Sequence, residues 1–278
     1  MASICHLLRD LTHAGFCGYG AGMMLQHQRH VEISRTLERQ GGVKVSALAG
    51  RLGVTEETIR RDLMQMEGGK LLVRTHGGAV PVETPQAAMP YAIREVENVE
   101  AKRSIARAVV SEIAEDDALF LDGSTTAYQL ARIFPDIRCT VITHSEPIFQ
   151  ELCRRTNVEL ISTGGVYDRR SASFVGPLAE QMISTCHITK AFLGCKGLDI
   201  KRGYSDASVR HMNLKRAVMQ WAGEVYILAD FSKFEVCSRY FFAGIQDAGC
   251  VVTDRKTPAE ILKDLQKAGV RVVEERRK

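Results

Sequence analysis

The sequence predicts an α/β protein in two parts, on three observations. First, from residue 118 onward short apolar runs alternate with helical stretches. The runs fall at 118–121, 139–143, 158–162, 190–193, 225–229, 251–253 and 270–273, and helical patterns occupy 126–134, 147–154, 178–186, 209–221 and 258–267. Such alternation predicts a Rossmann-like, mostly parallel sheet flanked by helices. Second, residues 28–66 carry helical apolar spacing only. Third, Pro81, Pro85 and Pro90 lie between the two regions and predict a semi-extended joint. The expected division is an extension over 1–22, a small unit over 23–80, a linker over 81–98 and a large unit over 99–278, which opens on an amphipathic helix near 100–115.

The totals exclude several classes. Hydrophobic content of 45% and charged content of 25% belong to an ordinary globular chain with a core to bury. A formal net charge of +4 over 278 residues does not describe a generic polyanion binder. Residues 23–80 carry nine Lys/Arg against six Asp/Glu, a net of +3, whereas residues 81–278 carry 27 against 26, a net of +1. The excess therefore sits with the small unit. The eight cysteines include no C-x-x-C pair and read as reduced thiols. No apolar run is long enough to span a membrane, and Arg9, Asp10 and His13 interrupt any secretory core, so a cytoplasmic location is expected. Residues 1–22 lack periodicity, and folded structure is expected to begin near Met24.

Within the small unit, 28–40 is a basic amphipathic helix with Val31, Ile33 and Leu37, ended by Gly41-Gly42. Val45, Leu48, Ala49 and Leu52 recur at i, i+3, i+4, i+7, and Gly53 closes that helix. Thr55 is a good N-cap for a third helix, with Glu56 and Glu57 in its first turn. At about 100° per residue, Ile59, Leu63 and Met66 face a core. Glu57, Thr58, Arg60, Arg61, Met64 and Gln65 face outward. Helix, short turn and arginine-bearing helix make a helix-turn-helix, whose second helix enters the DNA major groove. Arginine suits that place, because its fork clamps phosphate or pairs with guanine.

After Gly68-Gly69, residues 70–80 read as two short strands around a basic turn, a wing able to lay Arg74 and His76 on a phosphate backbone. The runs Leu52-Gly53-Val54-Thr55, Thr58-Ile59-Arg60-Arg61-Asp62-Leu63 and Arg74-Thr75-His76-Gly77-Gly78-Ala79 resemble the winged helix-turn-helix domain of the DeoR family of bacterial transcriptional regulators. Thr55 stands where that family usually has serine, which keeps the capping hydroxyl. The resemblance implies operator DNA as partner.

In an open parallel sheet, ligands bind beyond the carboxyl ends of the strands. One predicted strand runs into Asp122-Gly123-Ser124-Thr125-Thr126 and a helix, a fitting phosphate cradle. Others end in Thr163-Gly164-Gly165, Gly194-Cys195-Lys196-Gly197 and Asp230-Phe231-Ser232-Lys233. Lysine there offers charge to phosphate and aspartate accepts from sugar hydroxyls. Asp206 and Lys215 are further candidates. These runs also resemble the DeoR sensor domain, which implies a phosphorylated sugar or polyol as effector. That domain is similar in fold to ribose-5-phosphate isomerase, so the alternative is a sugar-phosphate isomerase-like enzyme. The isomerases' Asp-Gly-x-Asp-Glu run is replaced here by Leu193-Gly194-Cys195-Lys196-Gly197, and their catalytic Glu falls near Asn213 or Leu214. The carboxylate base that enediol chemistry requires is therefore missing.

His144 with Glu146, and His187, have no metal-ligand spacing. Cys195 reads as an ordinary thiol and Trp221 as core. The sequence thus points to a ligand-controlled DNA-binding regulator, most simply a repressor of a carbohydrate or polyol operon. No catalytic residue, metal or cofactor is expected. Two DNA-binding heads predict a homo-oligomer.

Overall fold

The computed structural model describes residues 25–40, 42–69, 71–75, 77–80 and 89–275, without the side chains of 38–40. The expectations placed on residues 1–22, Pro81, Pro85 and His76 lie outside the described residues. By compactness the chain divides into a unit ending at Pro81 and one beginning at Val82.

The first unit runs α1 (Gln26–Gln40), β1 (Val43–Lys44), α2 (Val45–Leu52), α3 (Glu56–Gly68), β2 (Val73–Thr75) and β3 (Gly78–Val80). β3 pairs antiparallel with both β2 and β1. Its core takes Ile33 and Leu37 from α1, Leu48 and Ala49 from α2, Ile59, Leu63 and Met66 from α3, and Leu72 and Ala79 from the wing. Between α2 and α3, Gly53 stands at φ 64° and its N–H bonds the Ala49 carbonyl. A side chain there would be strained, so glycine sets this turn.

The second unit begins with α4 (Tyr91–Val96), α5 (Val99–Val109), β4 (Ala118–Leu121), α6 (Thr125–Arg132), β5 (Cys139–Thr143), α7 (Glu146–Leu152) and β6 (Val158–Ser162). A hairpin of β7 (Val166–Asp168) and β8 (Ser173–Val175) follows, then α8 (Pro177–Ser184), β9 (Ile188–Gly194), β10 (Gly197–Asp199) and β11 (Gly203–Asp206). The chain ends with α9 (Val209–Trp221), β12 (Ala222–Leu228), β13 (Tyr240–Ala243), β14 (Cys250–Thr253), α10 (Ala259–Lys267) and β15 (Arg271–Glu274).

The seven predicted strands form one seven-stranded sheet, in the order β15-β14-β12-β9-β4-β5-β6, with every pairing parallel. Successive strand residues feed opposite faces. Leu119 and Leu121 join a core with Leu130 of α6 and Ile148 of α7, while Phe120 joins one with Ile183 of α8 and Leu214 of α9. Right-handed crossovers explain the split, because a chain that reverses direction along the sheet must lay its later helices on the other face. From β4 the chain moves to β5 and β6, then returns to β9 on the far side of β4. The switch point lies between β4 and β9, where parallel sheets bind ligands.

Three findings differ from the sequence reading. Residues 91–96 of the expected joint are the helix α4, which buries Tyr91 and Ile93. The β7–β8 hairpin and the antiparallel sheet β10-β11-β13 were not predicted. These strands of three or four residues are too short to show a period. Trp221 is 47% exposed, since α9 ends there and passes directly into β12.

Candidate nucleic-acid interface and strand-end site

On α3, the Thr55 hydroxyl accepts the Thr58 N–H at 3.2 Å, capping the helix as its sequence predicts. Ile59, Leu63 and Met66 are buried. Thr55, Glu57, Arg60 and Arg61 are exposed, Thr58 is half-buried, and Arg74 is exposed on β2. Arg60 lies 2.5 Å from Glu56 and 3.7 Å from Glu57. Arg74 donates its backbone N–H to Glu67 at 2.9 Å. Exposed pairs of this kind contribute little and yield readily to a phosphate.

Sequence reading missed Asp62, which is 1% exposed beneath this surface. Arg29 of α1 holds it with Nε at 2.7 Å and Nη2 at 3.1 Å, and Gln26 Nε2 lies at 3.3 Å. Burial alone would raise the Asp62 carboxyl, but the hydrogen bonds from Arg29 and Gln26 outweigh it and hold it below the usual range. The signal was available, because Ile59, Asp62, Leu63 and Met66 stand at i, i+3, i+4, i+7. A charge on an apolar stripe must find a buried partner.

At the switch point, the Asp122 carboxylate joins two strands. One oxygen accepts the Ser124 N–H at 2.9 Å and the other the Gly194 N–H at 2.8 Å. Ser124 caps α6 by accepting the Ala127 N–H at 3.1 Å. A Cβ on Gly194 would lie 2.5 Å from the Ser124 Cβ, so the ends of β4 and β9 approach closely enough to exclude any side chain there. Lys215, on α9, donates to the Gly194 carbonyl and to Asp206, each at 2.6 Å, with Asp122 at 3.6 Å. Burial opposes its charge, yet Asp206 and Asp122 raise it, and Lys215 in turn keeps both buried carboxyls low. This triad is the bolt of the site.

His144, at the end of β5, accepts the Gly123 N–H through Nε2 at 3.2 Å and stacks on Phe120. Burial, then the neighbouring His211, pushes its pKa down to about 3. Cys195 is buried, which pushes its thiol up to about 12 and makes it an inert core group. In the loop after β12, Asp230 accepts from Ser232 N at 2.9 Å and has Lys233 at 3.8 Å. Gly164 and Gly165, at φ 62° and 113°, end β6 beyond β5. β6 is the edge strand, two places from β4 in the sheet, while the β4, β9 and β12 ends hold Asp122, Gly123, Ser124, Thr125, Thr126, Lys196, Asp230 and Lys233.

Lys196 differs from Lys215. Its Nζ donates no hydrogen bond among the described residues, and burial, then the charge of Arg94, holds its pKa well below the usual lysine value. Arg94 and Lys102 were also missed. Lys102 is 4% exposed and donates to the carbonyls of Arg94 and Glu97 at the end of α4. Burial pushes its pKa down to about 8. Lys102, Ile105, Ala106 and Val109 repeat the spacing that Asp62 shows in α3.

Among the described residues no group of three or more His, Cys, Asp or Glu could hold a metal ion, and no helix is long and apolar enough to cross a membrane. The family described as "DeoR-like helix-turn-helix domain" matches residues 29–84, and "DeoR C terminal sensor domain" matches residues 97–255. The uncharacterized HTH-type transcriptional regulator YulB of Bacillus subtilis (strain 168) is 37% identical over 249 residues, covering 90% of this chain and 96% of that protein. The L-fucose operon activator of Haemophilus influenzae is 35% identical over 231 residues, covering 83% and 93%. Among solved structures, ribose 5-phosphate isomerase A from Methanocaldococcus jannaschii aligns with TM-score 0.38 and 15% identity over 50% of this chain and 55% of its own. Two family matches on the two units, with relatives alike along nearly their whole length, make this chain a member of the DeoR family of DNA-binding transcriptional regulators, and not an enzyme.

Proposed function

We propose that the chain represses a carbohydrate or polyol operon and releases its operator when a phosphorylated sugar or polyol binds the strand ends. The observation that carries this reading is the charge at the switch point. The carboxylates of Asp122 and Asp206 are already bound by Lys215. Lys196 and Arg94 remain, both half-buried, and loss of solvent lowers each, with Arg94 lowering Lys196 further. An anion relieves that repulsion, and a phosphate also finds the N-terminus of α6 and the Ser124-Thr125-Thr126 hydroxyls nearby. Asp230, whose Oδ2 accepts no hydrogen bond from the described residues, suits a sugar hydroxyl. Relatives named for an L-fucose operon and an aga operon fit a sugar signal.

In the first unit, Thr58, Arg60 and Arg61 read the operator, assisted by Thr55, Glu57, Arg74 and His76. Two heads on a homo-oligomer match two half-sites, and the sensor units supply the contact between copies. The test is fluorescence anisotropy with DNA from upstream of the gene against scrambled DNA, at fixed salt, with ribose 5-phosphate, glucose 6-phosphate and glycerol 3-phosphate in turn. Sequence-preferring binding weakened by one compound is expected. Equal binding to scrambled DNA, or affinity indifferent to a full range of sugar phosphates, would overturn the reading.

A further inference from the structure

Residues 89–102 carry the chain from the DNA-binding unit into the sensor unit, and they are fastened to the loops at the strand ends. Tyr91 donates its N–H to the Arg170 carbonyl of the β7–β8 hairpin at 2.8 Å. The Thr125 hydroxyl, at the start of α6 beyond β4, donates to the Arg94 carbonyl at 3.4 Å. Asn98 donates to Asp230 at 3.2 Å and to the Ser232 hydroxyl at 3.3 Å, in the loop after β12. Lys102 closes the carboxyl end of α4 from below through the Arg94 and Glu97 carbonyls. Of the Arg94 guanidinium, Nε donates to the Met89 carbonyl at 3.0 Å and the carbon lies 5.4 Å from the Tyr91 ring centre. Its two Nη groups donate no hydrogen bond among the described residues, although Asp206 and Asp122 both act on its charge.

We infer that Arg94 is a ligand-contacting residue whose free Nη fork, together with Lys196, clamps the anionic group of the effector and thereby reports occupancy to the chain that leads to the DNA-binding unit. The inference rests on the anion-binding reading above. A planar fork with paired donors matches two phosphate oxygens, which a lysine cannot do. The loops after β4 and β9 are held by Asp122 and Lys215, so an anion seated between them has a fixed floor. Arg94 is instead carried on a six-residue helix, held by backbone carbonyls and side-chain amides. Binding therefore orders α4 more than it moves the sheet, and α4 is where the two states differ in affinity for the anion.

The experiment uses the full chain and inorganic phosphate, titrated against chloride at matched ionic strength. Calorimetry compares the wild type with Arg94→Gln and Arg94→Lys, and hydrogen exchange follows residues 91–98 of the wild type. We expect Arg94→Gln to weaken phosphate binding at least tenfold, Arg94→Lys to fall between, and phosphate to slow exchange over 91–98. A merely structural Arg94 would lower the melting temperature equally in both salts and leave phosphate affinity unchanged. Binding by Arg94→Gln within twofold of wild type overturns the assignment alone. If that variant does not fold, unchanged exchange over 91–98 in the wild type overturns it equally. Wild type that binds no phosphate overturns the anion-site reading as well.

Discussion

The outer face of α3 and the strand ends of the sensor unit both gather cations, and they hold them in opposite ways. Arg61 is exposed, and Arg60 rests on Glu56 and Glu57 at the surface. Lys215 is 4% exposed and sits between two buried carboxylates. A charge on a convex, wet surface interacts weakly with its neighbours and is screened by salt, so it is free to meet a polyanion. A charge in a concave, dry site must be balanced where it stands. The first arrangement puts charge at the service of binding, and the second makes it part of the fold.

The largest effect expected from this contrast is at Lys215. Lys215→Met keeps the volume but leaves Asp206 and Asp122 buried without their cation. Removing one member of such a buried pair costs about 3–5 kcal/mol. Urea unfolding followed in the sensor unit should show that loss, and a variant as stable as wild type would break the distinction between the two regions. Arg61→Ala should sit at the other extreme for stability, within about 0.5 kcal/mol of wild type.

The effect of Arg61→Ala belongs instead to DNA affinity. Loss of a base or phosphate contact costs about 1–3 kcal/mol, and a lost phosphate contact lowers the slope of log affinity against log salt by about one unit. Anisotropy at three salt concentrations measures both. Unchanged affinity with an unchanged urea midpoint would remove Arg61 from the reading surface.

The same contrast governs what was legible in the sequence. All seven strands of the main sheet showed as apolar runs, because strands buried on both faces carry the signal in composition alone. The outer face of α3 was legible because exposure follows directly from helical period. What the sequence hid was the handling of buried charge. Asp62, Lys102 and Lys215 each occupy a stripe position beside apolar residues, as in His211, Leu214, Lys215 and Val218. Periodicity places such a residue inside, but its partner comes from elsewhere in the chain, as Arg29 does for Asp62 and Asp122 for Lys215. From sequence Lys215 reads as a ligand contact, and in the fold its Nζ donates to the Gly194 carbonyl and to Asp206. Arg94 was hidden by the prolines around it, which read as linker, whereas α4 buries Tyr91 and Ile93.

The smallest effect tests whether the dry site also sets the acid limit of the sensor unit. His144 titrates near 6.5 in an ordinary setting and near about 3 in the fold, where burial and His211 oppose its charge. Below pH 6.5 the unfolded chain takes up a proton that the folded chain refuses. Its contribution to stability is therefore whole above that pH and is lost progressively as pH falls toward about 3. One pH unit below the ordinary value the loss is about 1 kcal/mol. Urea midpoints of the sensor unit at pH 7.5, 6.5 and 5.5 should decline in the wild type. His144→Asn, which removes the titrating group, should flatten the decline, leaving a remainder from His211, whose burial lowers it to about 4. Arg61→Ala should follow the wild-type profile, because its charge lies on the wet surface. Equal slopes in wild type and His144→Asn would mean that His144 is not kept neutral, and the strand ends would then be wetter than their geometry implies.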